Sequence, residues 1–372
     1  MTDIDAVLPG VSDADSTDCA RFKALPVQVV EIGDAVVVKR GLSALKIDGE
    51  GAAAVVTELL NQAEQPRTRA ELRAPFAPRD REAVDSLIDR LIDRRFLTLW
   101  TDDDGQDRPS VADGMELFYW NFAAQAAVIA ERLAAARITV LGVNQVSLSL
   151  VAALAAGGAD DVTVVDYHLL RNVSQFDESG ELRSGGWSDA LRPPVPYRSW
   201  AGDVDPDELR FIVATSDFGS TPGLRQWNRY CVENHWGFFP AVLQDLVGYV
   251  GPLVIPGETA CYECLRARQN SHMSDPAAQR APETRGFEEQ RFVGFHPAMA
   301  QTVGDLAAME LLKFHGQLPM WRVGTMIEVN LMAPSLAVRK VLKIPRCAVC
   351  SPTQVRSAPT LDTRVYNLTY DE

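Results

Sequence analysis

Two short cysteine pairs constrain this chain more than any other feature: Cys261-Tyr262-Glu263-Cys264 and Cys347-Ala348-Val349-Cys350, four of its six cysteines. A Cys-x-x-Cys turn holds two sulfurs at the separation that one tetrahedral ion accepts. Two such turns complete a four-cysteine zinc site with no open position, which makes it structural rather than catalytic. The inner cysteines are separated by 82 residues, far more than a zinc ribbon uses, so the site is expected to clamp two distant parts of one domain. Two unrelated buried pairs, or a redox pair of thioredoxin type, are the alternatives. The redox reading asks for a pair that opens a helix and so lowers a thiol pKa, and neither pair has an obvious helix start.

A chain of 372 residues has room for two or three domains, each with its own core. Met1–Ser16 is acidic, without a basic start or an apolar stretch, so no signal peptide is expected. No apolar run approaches the ~20 residues of a membrane helix. The remaining cysteines, Cys19 and Cys231, read as unpaired, which fits a reducing cytoplasm. The net charge of −14 argues against a general nucleic-acid binder, which is usually basic.

Residues 1–24 read as a flexible acidic leader. A first domain is expected over residues 25–100. It opens with three β-type runs, Val27–Ile32, Ala35–Arg40 and Leu42–Ile47, separated by Gly33-Asp34 and Arg40-Gly41: a small antiparallel meander. Asp48 or Gly49 is then expected to cap a helix over Gly51–Gln62 with Ala54, Val55, Leu59 and Leu60 as its stripe. Helices over Thr68–Phe76 (Thr68 as N-cap) and Asp80–Phe96 follow. The last carries Val84, Leu87, Ile88, Leu91 and Ile92 on one face and Arg81, Asp85, Asp89, Arg90, Asp93 and Arg94 on the other. Strands followed by three helices make a winged-helix-like α+β unit. Alternating acids and bases on the third helix, with only Lys39, Arg40 and Lys46 on the wing, make a poor phosphate footprint. The last meander strand offers an edge instead, beside a helix, and such an edge accepts an incoming peptide strand. A wing shielded by its own domain is the alternative.

Residues 101–114 are a polar, acidic linker, and Met115–Ala135 reads as one helix. The second domain, residues 115–353, has an α/β pattern: strand Arg137–Gly142, helix Val146–Ala156, strand Asp161–Asp166, then strands Phe211–Ser216 and Phe238–Leu243. Strand, turn, helix, strand, acid is a βαβ unit of dinucleotide-fold type. Its first turn, however, reads Gly142-Val143-Asn144-Gln145-Val146-Ser147, with one glycine where phosphate-binding loops bring several backbone N–H groups close. Asp166 is a ribose-hydroxyl candidate or a strand-end acid; Asp217 is a magnesium candidate lacking phosphate partners. His296 and His315 read as local hydrogen-bonding groups and Cys231 as core. Leu306, Met309 and Leu312 within Gly304–Phe314 form a stripe that serves either a homodimer surface or the core. Residues 354–372 are a polar tail.

These motifs resemble the E1-like, ThiF-type superfamily (ubiquitin-activating-enzyme fold) over roughly Met115–Thr353. The resemblance rests on RITVLG, DVTVVD, Asn172-Val173-Ser174-Gln175, FIVATSD, GYVGPLVIPGETACYECL and KIPRCAVC. It implies a Rossmann-like domain, Mg-ATP-dependent adenylation of a carboxylate, and structural zinc on the two cysteine pairs. This chain departs from the pattern: Gly142 stands alone, Ser174 and Gln175 occupy the neighbourhood of an expected arginine, and Gly185–Ser188 lacks the following lysine. Losing those cations and the backbone access removes the electrostatic stabilisation that adenylyl chemistry needs. Gly142, Asp166 and Asp217 are then a vestigial nucleotide seat, and ATP and magnesium are not expected.

The two domains together resemble the leader-peptide-binding partner proteins of YcaO cyclodehydratases, from azoline-forming pathways that modify ribosomally made peptides. That resemblance implies an adaptor. The first domain would take the precursor's leader as an added strand, at Ser43, Leu45 and Ile47 on the edge and Val84, Ile88 and Arg94 on the helix. A one-residue slip inverts these strand faces. The adaptor would deliver the peptide to a separate YcaO-type enzyme for azoline formation. The alternatives are an active E1-like enzyme adenylating a peptide carboxylate and, third, a winged-helix regulator.

Overall fold

The computed structural model describes residues 20–100, 113–205, 211–288, 294–318 and 323–351. Cys19, residues 1–19 of the expected leader, residues 101–112 of the linker and the tail 354–372 lie outside them. The chain divides into two compact units, Met1–Ala127 and Val128–Glu372.

In the first unit the β-branched runs form the expected meander: β2 (Gln28–Ile32), β3 (Ala35–Arg40) and β4 (Ser43–Asp48), antiparallel in the order β2-β3-β4. Each turn has two residues and opens on a glycine at positive φ, Gly33 at 59° and Gly41 at 55°, the geometry that joins twisted strands tightly. A second small sheet joins β1 (Arg21–Ala24), β5 (Arg67–Thr68) and β6 (Leu97–Trp100). β1 lies in the stretch read as leader. Phe22 anchors it in the core, and four residues are too few to show a period against acidic neighbours.

The helices are α1 (Ala52–Gln62), α2 (Arg69–Arg73) and α3 (Arg81–Asp93). α1 begins after Gly51, which takes the left-handed conformation, rather than at an Asp48 or Gly49 cap. It buries Leu59 and Leu60 as expected, but Val56 in place of Val55, which is half-buried, and Ala54, which is exposed. Thr68 caps α2 as expected, in a reciprocal capping box with Glu71. α3 ends at Asp93, because Arg95 turns left-handed (φ 58°) and sends Phe96 into the core.

The single helix expected over Met115–Ala135 is two: α4 (Asp113–Asn121), which belongs to the first unit, and α5 (Ala126–Ala134), which starts at the boundary. Trp120 fixes α4. Its ring stacks on Phe96 at 6.2 Å, and its Nε1 donates to the Arg95 carbonyl at 3.0 Å while Arg95 Nη1 donates back to the Trp120 carbonyl at 2.6 Å. The Arg40 and Arg95 guanidiniums lie 5.2 and 5.1 Å from its ring. Arg40, counted above as a wing cation, is therefore buried and bound to Glu116 at 2.9 Å.

The second unit is built on an eight-stranded sheet, β14-β13-β12-β11-β10-β7-β8-β9. β7 (Arg137–Leu141), β8 (Asp161–Asp166), β9 (Val195–Pro196), β10 (Phe211–Ser216) and β11 (Gly237–Gln244) are parallel. β12 (Val247–Val250), β13 (Thr325–Asn330) and β14 (Ser335–Lys340) extend it antiparallel. The parallel strands are apolar on both faces because helices cover both. Those helices include α6 (Gln145–Ala156), α7 (Tyr197–Asp203), α8 (Thr221–Glu233), α9 (Tyr262–Ser271), α10 (Pro276–Glu288) and α11 (Pro297–His315). α11 lies so close on α6 that a Cβ on Gly304 would stand 2.6 Å from the Val146 carbonyl oxygen. Of the proposed dimer stripe, Leu306 and Leu312 pack against the core and Met309 is exposed. No helix among the described residues is long and apolar enough to cross a membrane.

Candidate functional site

The four cysteines converge. Cys261 is the N-cap of α9, and Cys264 lies in its first turn. Cys347 and Cys350 follow the last strand of the sheet, and all four Sγ atoms lie within 4.8 Å of one another. Neighbouring sulfurs are 3.9 Å (Cys261–Cys264), 3.6 Å (Cys261–Cys347) and 3.5 Å (Cys264–Cys350) apart. A tetrahedron with metal–sulfur bonds of about 2.3 Å has edges of about 3.8 Å, so the sulfurs already stand where one zinc ion places them. Main-chain donors support the sulfur cage, Ile344 N to Cys264 Sγ at 3.4 Å and Val349 N to Cys347 Sγ at 3.5 Å. The expectation that neither pair opens a helix is corrected, since Cys261 begins α9. A helix start alone favours a reactive thiol, but the second pair closing over the first gives a saturated ligand set instead. Cys231 is sealed in the core, where burial pushes its thiol well above the ordinary range.

At the carboxyl ends of β7 and β10 the sequence-expected loop is filled by the chain's own atoms. Gly142 turns at φ 103°, and a Cβ there would sit 2.8 Å from both the Leu170 and Thr215 carbonyl oxygens. That glycine serves close packing of strands, not access for a ligand. Asn144 is fully buried. Its Nδ2 donates to the Leu170 carbonyl, the Thr215 carbonyl and Thr215 Oγ1, each at 3.1 Å. Its Oδ1 accepts from Ser147 N at 3.0 Å, and Ser147 Oγ accepts from Asn144 N at 3.0 Å. Asp217 Oδ2 accepts from Gln145 N at 2.9 Å and from Asn172 Nδ2 at 2.8 Å. The Gln145 and Ser147 N–H groups in the first turn of α6, where a phosphate would be faced, are thus taken by Asp217 and Asn144, and the cap's own N–H by Ser147.

Asp217 is 2% exposed, and its Oδ1 has no hydrogen-bond partner. Burial pushes its carboxyl up to about 6, against the opposing hydrogen bonds from Asn172 and Gln145. Asp166 is clasped by Arg171, whose Nε donates to Oδ1 at 2.8 Å and whose Nη2 bonds Oδ2. Arg171 also lies over the Phe176 ring at 3.9 Å. The structure therefore gathers Gly142 and Asp217 into one network through Asn144 and Thr215, while Asp166 is held apart in an ion pair. Sequence reasoning missed Arg171 and the Asn144–Ser147 box, and it singled out Asn172 without its bond to Asp217. A capping residue followed three positions later by a side chain that bonds back was the available signal. His296 caps α11, its Nδ1 accepting from Ala298 N at 3.2 Å, and His315 is held down to about 4 by burial.

In the first unit, among the described residues, β4 pairs with β3 alone and is an edge strand. The two-residue turn makes Arg40 and Ser43 a hydrogen-bonded pair, and such pairs alternate along an antiparallel ladder. Gly49 N donating to Asp34 O at 3.1 Å keeps the same alternation. Ala44, Lys46 and Asp48 therefore aim their N–H and C=O groups away from β3, and their side chains are exposed. The expected peptide-contact side chains stand differently. Leu45, Val84 and Ile88 are buried in the unit's own core, Ile47 packs against it, Ser43 is half-buried, and Arg94 is exposed. Only main-chain atoms and the outward row are presented at this edge. Arg90 of α3 reaches it, Nη2 donating to the Lys46 carbonyl at 3.1 Å.

No protein-family signature matches the chain, and no curated protein matches its sequence. Solved structures do share its fold. MccB of E. coli superposes with a TM-score of 0.65 at 16% identity over 91% of this chain and 99% of that one. The microcin C7 biosynthetic enzyme MccB in complex with N-formylated MccA gives 0.65 at 16% over 89% and 100%. The heterocyclase TruD gives 0.57 at 18% over 89% of this chain, which spans only 43% of TruD. At these identities the likeness is one of fold, and it extends over both units: this chain is built on the MccB architecture, which also forms part of the TruD heterocyclase.

Proposed function

We propose that the chain is an adaptor in the modification of ribosomally made peptides: it binds the leader of a precursor peptide and delivers the core to a separate YcaO-type cyclodehydratase. The first unit would act as a winged-helix-like recognition element, with the β4 edge taking the leader as an added strand. Holding one end of the substrate beside the enzyme raises its effective concentration to about the millimolar range. The second unit would serve as a zinc-stabilised, E1-like scaffold.

The observation that carries this reading is the filled helix start. Asp217 and Asn144 take the Gln145 and Ser147 N–H groups, two of those that an adenylating site would turn toward phosphate. The heterocyclase and MccB likenesses supply the peptide-modification setting, since the matched structures include a heterocyclase with substrate and cofactor and MccB with MccA. The test has two arms. Calorimetry with leader peptides from the same gene cluster should give saturable binding, and ATP–pyrophosphate exchange should give no turnover. Exchange activity that depends on magnesium and on peptide would favour the second reading, an enzyme adenylating a peptide carboxylate. The nearly complete coverage of MccB, solved also with ATP, supports that reading.

A further inference from the structure

The acids and bases that alternate along α3 in sequence separate in space. Asp85, Asp89 and Asp93 recur at four-residue spacing and so share one stripe. Its first two members are engaged from α2: Arg73 Nη1 meets Asp85 Oδ2 at 3.1 Å, and Arg69 pairs with Asp89. The neighbouring stripe is Ser86, Arg90 and Arg94, all exposed. Arg90 lies against the open edge of β4, where its one bond is to the Lys46 carbonyl. Arg94, one turn further, has no partner among the described residues. Two acids of this helix, Asp85 and Asp89, are thus neutralised from α2, and one of its cations, Arg90, stands at the strand edge.

Lys46 is one of the three residues of β4 whose main-chain groups point outward, and its carbonyl is the acceptor an added strand would use. Arg90 holds that acceptor in the free protein. An arriving strand must supply an N–H to Lys46 O and give the displaced guanidinium somewhere to go. A main-chain N–H of the arriving strand meets the first need, and a carboxylate on that strand meets the second, because Arg prefers a charge-assisted bond to a carboxylate over one to a neutral carbonyl. A lysine or arginine at that position would face Arg90, while the acid of the outward row, Asp48, is already paired with Lys46 at 2.6 Å.

We infer that the β4 edge selects an acidic peptide strand, with Arg90 exchanging the Lys46 carbonyl for a carboxylate of the incoming chain and Arg94, one turn along the same helix stripe, adding to the positive charge. The inference rests on the proposal that β4 is the peptide edge and adds the chemistry of its occupant.

The test is selection of random twelve-residue peptides displayed on phage against the full-length protein, followed by titration of the recovered peptides. Aspartate and glutamate should be enriched. Replacing the key acid by its amide should weaken binding about fivefold to wild type, and far less to the Arg90→Gln/Arg94→Gln variant. Lys46→Pro separates the two levels of the argument. The Lys46 N–H points away from β3, so proline there removes no ladder bond but blocks strand addition. Ala44→Pro does the same one step along and serves should either variant lose its circular dichroism signature. If binding survives both prolines, or no peptide is recovered, the edge reading fails and this inference with it. If the prolines abolish binding but the peptides show no acid preference, or the same preference against the arginine variant, the edge stands and the selectivity argument is overturned.

Discussion

Asp217 makes a prediction whose sign separates a structural carboxylate from a working one. It is 2% exposed, and burial lifts its carboxyl from 3.8 to about 6. Below the unfolded value both states hold the proton. Between about pH 4 and pH 6 the unfolded chain releases it while the folded chain keeps it, so the folded state binds more protons and stability falls as pH rises. Above pH 6 the penalty is complete. A shift of about two pKa units corresponds to about 3 kcal/mol, at about 1.4 kcal/mol per unit. Asp217→Asn keeps an oxygen for Gln145 N and Asn172 Nδ2 and removes the charge. The substitution should therefore stabilise the protein at pH 7 by about 2–3 kcal/mol, and leave it nearly unchanged at pH 4. Urea titrations of both proteins at pH 4, 5, 6 and 7 measure this directly. Parallel stability profiles, or an asparagine variant less stable at pH 7, would show that the carboxylate is not an isolated buried charge and would refute the reasoning.

Three further outcomes follow from the geometry. Cys347→Ser should release the metal, counted by mass spectrometry, and abolish or sharply lower the thermal transition of the second unit, since structural zinc contributes folding free energy of about 10 kcal/mol or more. Gly304→Ala should destabilise by about 1–3 kcal/mol in chemical denaturation, because its methyl would lie 2.6 Å from a carbonyl oxygen of α6. Trp120→Ala should cost about 3–5 kcal/mol and loosen α4 in hydrogen exchange, as one ring stacks on Phe96 and lies beside two guanidiniums.

What could be read from the sequence was what is local or strongly periodic. The meander was visible in its glycine turns, the βαβ unit in its apolar runs, and the four-cysteine cluster in its spacing. β12, β13 and β14 were passed over because half-exposed antiparallel strands carry a weak pattern. β1 was missed because it is held by partners far along the chain, Leu97–Trp100 and Arg67–Thr68. The weak glycine content of the Gly142 loop was legible, but what fills it was not. Asn144 reaches Leu170 and Thr215, and Asp217 reaches Gln145, across separations of 26, 71 and 72 residues. The charge pattern of α3 was legible only as an alternation, which says nothing about which neighbours, Arg69 and Arg73, pair with two of its acids.

The sulfur cage also sets an order of events. A nascent chain that has emerged as far as Cys264 carries half a socket, able to grip an ion only loosely. The other half emerges after α10, α11 and the β13–β14 ribbon have been made. Completing the four-sulfur set is therefore a late event, and a chain truncated before Cys347 would leave the ribosome with only Cys261 and Cys264 of it.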